Sequence, residues 1–205
     1  MMRLTVVAVC LCVSACTSSI LQSKIPTPNI YVLAAMPVDA ATVATLPVDL
    51  AVARPTAVPG LDSDRIAVLH EERRLDYYQE SQWGAALPEV VQSLLVGSLQ
   101  NQKLFRSVTT EQARVSASYL LDLEIRDFQA EYASDSAPPT VRVTLIGSLI
   151  RIKDRKLIGI FPTTFTTTAA ANRLGAVVAA FESTARQAVA AMGKQTASTV
   201  AATAD

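Results

Sequence analysis

Tyr119-Leu-Leu-Asp-Leu-Glu-Ile-Arg126 sets Tyr119, Leu121, Leu123 and Ile125 against Leu120, Asp122, Glu124 and Arg126. A period of two over eight residues predicts a β-strand with one buried face. The turn signal Ser136-Ala-Pro-Pro139 follows, and then two β-rich runs, Val141 to Ile152 and Leu157 to Thr168, separated by the charged Lys153-Asp-Arg-Lys156. This arrangement predicts a hairpin continuing from the first strand. Upstream, Leu87, Val91, Leu94, Leu95 and Leu99 recur at helical spacing within Ala85 to Phe105, with Pro88 tolerated in the first turn, where its missing N–H is no loss. Downstream, Leu174, Val177, Val178, Phe181, Ala185, Ala188, Val189 and Met192 repeat at intervals of three and four and predict an amphipathic helix ending near Met192.

Further strands are expected at Ile30 to Ala35, at Leu46 to Arg54, and at Arg65 to Leu69 and Leu75 to Tyr78, the last two joined across His70-Glu-Glu-Arg-Arg74. The order strands, helix, strands, helix predicts an α+β fold, a two-layer sandwich in which two helices cover one face of a mainly antiparallel sheet. Residues 193–205 hold Ala, Thr and Ser but no large apolar side chain, and are expected to form a flexible tail. The folded domain is thus expected to span residues 30–192.

The first fifteen residues have a different character. Arg3 is followed by an apolar run from Leu4 to Val13, then by Ser14 and Ala15 before Cys16, which is the layout of an export signal. Ten apolar residues make a helix of roughly 15 Å, half a bilayer core, too short for an ordinary span. Val13-Ser14-Ala15-Cys16 resembles a bacterial lipobox, in which the cysteine receives a diacylglycerol and an N-acyl chain after cleavage. Cys10 and Cys12 follow the bulky Val9 and Leu11, so Cys16 is the candidate lipidation site, with residues 1–15 as a lipoprotein signal peptide. The alternative is an ordinary secretory signal in which Cys16 is incidental. Thr17 stands where the inner-membrane retention signal of enteric bacteria would place Asp, and by resemblance to that rule the outer membrane is the expected address. Several acyl chains anchor durably where one is marginal. Residues 16–29, with Pro26 and Pro28 and no apolar period, read as the lipidated tether.

Composition restricts chemistry further. Of 205 residues, 18 are basic and 18 acidic, so no electrostatic footprint for nucleic acid exists. The single histidine, His70, lies in a charged connection away from any Gly-x-Ser-x-Gly elbow, and all three cysteines precede residue 17. Neither a zinc site nor a nucleophile with its base can be assembled from that set, and no phosphate-cradling glycine loop is present. No catalytic residue, metal or non-covalent cofactor is therefore expected. Tyr77, Tyr78 and Trp83 cluster before the first helix as core packing at a strand-to-helix corner, or else as a partner-binding anchor. Thr163, Thr164, Thr166, Thr167 and Thr168 read as strand filling first, and as an edge that another subunit could extend second.

The run Arg65-Ile-Ala-Val, Leu75-Asp-Tyr-Tyr78, Trp83, Leu87, Leu94/Leu95, Leu99 and Phe105-Arg-Ser-Val108 resembles the ABC-type transport auxiliary lipoprotein family. The similarity extends from Tyr31-Val-Leu33 to Leu120-Leu-Asp-Leu-Glu124 and the final helix around Phe181. Gly84-Ala85-Ala86 departs from relatives whose helix starts with more polar or proline-bearing residues. The resemblance implies a non-enzymatic, outer-membrane-anchored periplasmic accessory to an MCE/ABC-type intermembrane lipid transport system. Its implied partners are an MCE-domain protein with its ABC permease, and the expected form is a symmetric homo-oligomer, because MCE assemblies are rings. It also implies that Tyr78 and Trp83 define the fold rather than catalyse. The competing reading is a structural or assembly lipoprotein that supports outer-membrane biogenesis without a lipid-transport partner.

Overall fold

A computed structural model describes residues 27–38, 44–134 and 136–203. The expected signal peptide, Cys16 and most of the tether lie outside the described residues. The expected α+β sandwich is present: nine strands form one sheet, and two helices lie on one face of it. The strands are β1 (Asn29–Tyr31), β2 (Leu46–Val52), β3 (Thr56–Ala57), β4 (Arg65–Leu69), β5 (Leu75–Trp83), β6 (Phe105–Thr110), β7 (Tyr119–Glu131), β8 (Thr140–Arg151) and β9 (Lys156–Thr168). Helix α1 spans Leu87–Gln102 and α2 spans Leu174–Thr203.

The sheet is organised around β7. One of its edges pairs antiparallel with β8 over the full length, Tyr119↔Arg151 to Glu131↔Thr140, and β8 pairs antiparallel with β9. The other edge is shared in parallel by β2 at Leu50↔Tyr119, β3 at Thr56↔Glu124 and β4 at Ala67↔Gln129. Strand β6 extends β2 in parallel, while β5 extends β4 antiparallel and carries β1 at its far side. The sheet is accordingly mixed, with its longest ladders antiparallel.

Alternation in β7 holds through Ile125 and then changes phase, because a bulge between Ile125 and Asp127 adds one residue. Tyr119, Leu121, Leu123 and Ile125 are buried before the bulge, Phe128 and Ala130 after it. The strand therefore continues five residues past the periodic stretch, with its core-facing row intact.

Strand β5 runs on past the expected end at Tyr78 to Trp83, and β3 and β6 are strands beyond the sequence expectation. Two further boundaries differ. Beyond Tyr31 the chain leaves the sheet and straps the two helices together. Ala34 N–H donates to Glu182 Oε2 at 3.0 Å, Met36 N–H to Ser98 Oγ at 3.1 Å, and Arg186 reaches the carbonyls of Ala34 and Ala35 at 2.9 and 3.1 Å. Side-chain hydrogen bonds from helices replaced a sheet ladder, so the apolar run does not form the expected strand to Ala35. The second correction concerns the expected flexible tail, most of which is helix: α2 runs on to Thr203, with Gly193, Thr196 and Val200 buried. The missing bulk is what permits the packing. A Cβ built on Gly193 would stand 2.6 Å from Leu99 Cδ2 of α1, so only glycine lets the helices approach this closely. Thr196 satisfies its buried hydroxyl by donating to Met192 O at 2.8 Å.

Candidate functional site

The three aromatics singled out in the sequence all come from β5, but the structure sends them to separate places. Trp83 is 1% exposed and enters the layer between sheet and helices. Its ring meets Phe181 of α2 edge-on at 5.3 Å between centroids and Phe128 of β7 at 6.0 Å, while the two phenylalanines stack at 5.2 Å. Both T-shaped contacts and the offset stack match the preferred aromatic geometries. Trp83 is therefore a buried core staple joining β5, β7 and α2.

Tyr77 and Tyr78, adjacent on a strand, point to opposite faces. Tyr77 donates its hydroxyl to Gly60 O at 3.0 Å, and the Arg65 guanidinium lies 3.6 Å above its ring centroid. Tyr78 is half-buried at the other face, 2.9 Å from the Tyr132 hydroxyl, which donates to Asn172 Oδ1 at 2.9 Å. Because Tyr132 has a single O–H, Tyr78 is the donor between them. Burial, and then this hydrogen bond, push the Tyr78 hydroxyl above the usual phenol range, so it stays a neutral donor.

The imidazole of His70 stacks on Tyr132 with centroids 5.9 Å apart. This assembly separates two clefts at one end of the sheet. One, about 450 Å³, is lined by His70, Glu71, Glu72, Arg74 and Tyr132; the other, about 280 Å³, lies among Val68, Asp76, Tyr78 and Asn172. Sequence reasoning placed His70 in the hairpin connection between β4 and β5, where it is, but did not find Tyr132 or Asn172. No local signal links them, since Tyr132 lies 54 residues from Tyr78 and is brought there by the parallel pairing of β4 with β7.

At the opposite end, the helix-free face of the sheet has a mainly apolar depression of about 440 Å³ formed by Ala51, Val115, Ala117, Leu120, Ile150 and Ile152 together with the charged Glu111 and Arg155. Val115 and Ile152 are 58% and 42% exposed. Two ion pairs lie elsewhere on the strands and turns of this sheet. Arg106 of β6 binds Asp49 of β2, and with the Ser107 hydroxyl it holds the Asp49 carboxyl at about 2. Arg151 binds Asp154 at 2.8 Å and likewise holds that carboxyl at about 2.

None of these places joins a nucleophile to a base, and no group of three or more His, Cys, Asp or Glu side chains suited to a metal occurs among the described residues. No helix among them is long and apolar enough to cross a membrane. The geometry is that of a two-layer scaffold with open, shallow surfaces. The chain belongs to the family described as ABC-type transport auxiliary lipoprotein component, whose model matches residues 31–193. That match includes β5, Trp83 and the first twenty residues of α2.

A comparison with curated proteins found no match. Among solved structures, the chain is similar to a Xanthomonas campestris protein of the DUF330 family, with a TM-score of 0.74 and 22% identity over 83% of this chain and 96% of that one. A second, an uncharacterized protein, has a TM-score of 0.66 and 15% identity over 83% and 99% of the two chains. A PelC dodecamer from Paraburkholderia phytofirmans is more distant, at 0.42 and 16% over 74% and 94%. The first two carry the same fold.

Proposed function

We propose that the protein is a non-enzymatic accessory subunit of an MCE/ABC-type intermembrane lipid transport system, held at the periplasmic face of the outer membrane by lipids on Cys16. The observation that carries this reading is membership of the transport auxiliary lipoprotein family over nearly the whole folded part. The lipobox-like Val13-Ser-Ala-Cys16 supports the anchor, with diacylglycerol and N-acyl chains as its only attached groups, and Thr17 supports the outer-membrane address. The tether residues 17–28, ahead of β1, reach at most about 40 Å, enough to hold the sandwich clear of the bilayer while it docks a partner.

In this role the protein does no chemistry. Energy comes from the ATPase of the system, and the lipoprotein supplies a surface at the receiving membrane for the MCE-domain protein and its permease. A homo-oligomer matches a ring-shaped partner in symmetry. The test is direct binding of the purified lipidated chain to the MCE-domain protein of the same bacterium, together with density separation of the two membranes. Binding, with the chain in the outer-membrane fraction, is the expected result. Failure to bind, or reproducible association with outer-membrane assembly proteins instead, overturns the transport role.

A further inference from the structure

Strand β9 is thirteen residues long, and among the described residues it pairs only with β8. Proteins guard such edges with charge, proline, bulges or brevity. The other edges here follow that practice: β1 has three residues, β6 carries the ion-paired Arg106, and the stretch of β5 beyond β1 carries Asp76 and Glu80. The first half of β9 is guarded in the same way, by Lys156, a register shift near Ile158 and Pro162, but from Thr163 to Thr168 it reads Thr-Thr-Phe-Thr-Thr-Thr, with no charge, proline or glycine.

The direction of its backbone groups can be deduced. Ala169 N–H donates to Pro139 O at 2.9 Å, so odd-numbered residues face β8, and the register is unshifted from Thr140↔Thr168 to Leu149↔Gly159. Thr164, Thr166 and Thr168 therefore turn their N–H and C=O groups to the open edge. Two observations agree with this parity. Pro162 falls in the outward set, where its missing N–H costs no ladder bond. Thr168–Thr140 and Thr164–Thr144 pair their hydroxyls at 3.1 Å, as expected of the closer, non-hydrogen-bonded positions opposite β8.

We propose that this edge is a self-association surface, on which β9 of a second copy adds antiparallel about a two-fold axis at Thr166. That register faces Thr166 with Thr166 and Thr164 with Thr168, so every outward N–H and C=O in the row finds a partner. The occupant is a second copy because the row is complementary to itself: small hydroxyl side chains meet small hydroxyl side chains, and no like charges oppose. The two sheets become one continuous sheet, and the helix-free faces of both copies lie on the same side. The inference stands on the β9 edge alone and is independent of the transport reading.

The test uses the full lipidated chain in detergent, oxidised with copper phenanthroline and compared with the parent chain. Across the axis, Cα atoms at Thr166 stand about 5.5 Å apart, inside the disulfide range of roughly 4.4–6.8 Å. Two copies of Thr164 stand four residues apart, about 14 Å. Thr166→Cys should cross-link and Thr164→Cys alone should not, while a mixture of Thr164→Cys and Thr168→Cys chains should. In sedimentation, Thr166→Lys, at an exposed position, should weaken self-association about tenfold or more with its melting curve unchanged. Equal cross-linking at Thr164 and Thr166, no cross-linking above the parent, or self-association indifferent to Thr166→Lys overturns the proposal. So does saturable capture of β9 by a partner's strand in place of a second copy.

Discussion

Replacing Trp83 separates a packing role from a docking role. The indole is 1% exposed and touches Phe181 and Phe128 at 5.3 and 6.0 Å. Truncation to alanine removes a buried aromatic at a cost of about 3–5 kcal/mol, cavity included. Part of that cost belongs to the two edge-on contacts, each worth about 0.5–1.5 kcal/mol beyond area. A chain of this size loses about 2–4 °C of melting temperature per kcal/mol, so Trp83→Ala should melt roughly 6–20 °C lower. Trp83→Phe, which keeps a ring, should lose less than half of that.

The assay is thermal unfolding followed by circular dichroism, with Phe181→Ala and the double variant completing a cycle. Because Trp83 and Phe181 share one contact, the two losses should fall short of additivity by about 0.5 kcal/mol or more. Unchanged melting of Trp83→Ala, or strict additivity with Phe181→Ala, would refute the core-staple assignment.

Two further outcomes follow from named contacts and a third from the lipobox-like sequence. Gly193→Ala normally gains helix propensity, yet its Cβ would stand 2.6 Å from the buried Leu99 Cδ2, so the variant should be destabilised by about 1–3 kcal/mol in denaturant unfolding; a gain in stability would contradict close packing of α1 on α2. Asp49 is held at about 2 instead of 3.8, so its contribution is fully present above about pH 4 and lost as pH falls towards 2; Asp49→Asn should flatten that part of the melting-temperature profile, and an unaltered profile would remove the Arg106 pair as its cause. Cys16→Ala, if exported, should leave the membrane fraction for the soluble periplasm, and its retention on membranes would contradict the lipid anchor.

The sequence made the fold legible wherever one face of an element repeats. Strand β7 up to Ile125, the β8–β9 hairpin and the apolar rows of both helices follow from period alone. It failed where a local event interrupted the period or where small residues did the packing. The bulge at Arg126 hides Phe128 and Ala130 from an alternation count. Gly193, Thr196 and Val200 look like a helix ending because their contribution is closeness rather than bulk. The apolar run after Tyr31 looks like strand because nothing in it announces that Glu182, Ser98 and Arg186 will take its backbone bonds.

For the candidate site, Tyr77, Tyr78 and Trp83 were visible as a cluster, but only the strand's two-sidedness, combined with β7 beyond the bulge, shows that they part. Tyr132 and Asn172 had no signal to find, since Tyr132 meets Tyr78 across 54 residues and Asn172 meets Tyr132 across 40. The proposed lipidation signal at Cys16, by contrast, is wholly local and needs no fold to be read.

Affinity capture of the tagged chain from detergent-solubilised envelopes, with mass spectrometry of the proteins and lipids recovered, tests the central claim most directly. The account predicts enrichment of an MCE-domain protein with its ABC permease, retained in Thr166→Lys. Enrichment of outer-membrane assembly or peptidoglycan-associated proteins, with MCE components at background, would contradict it.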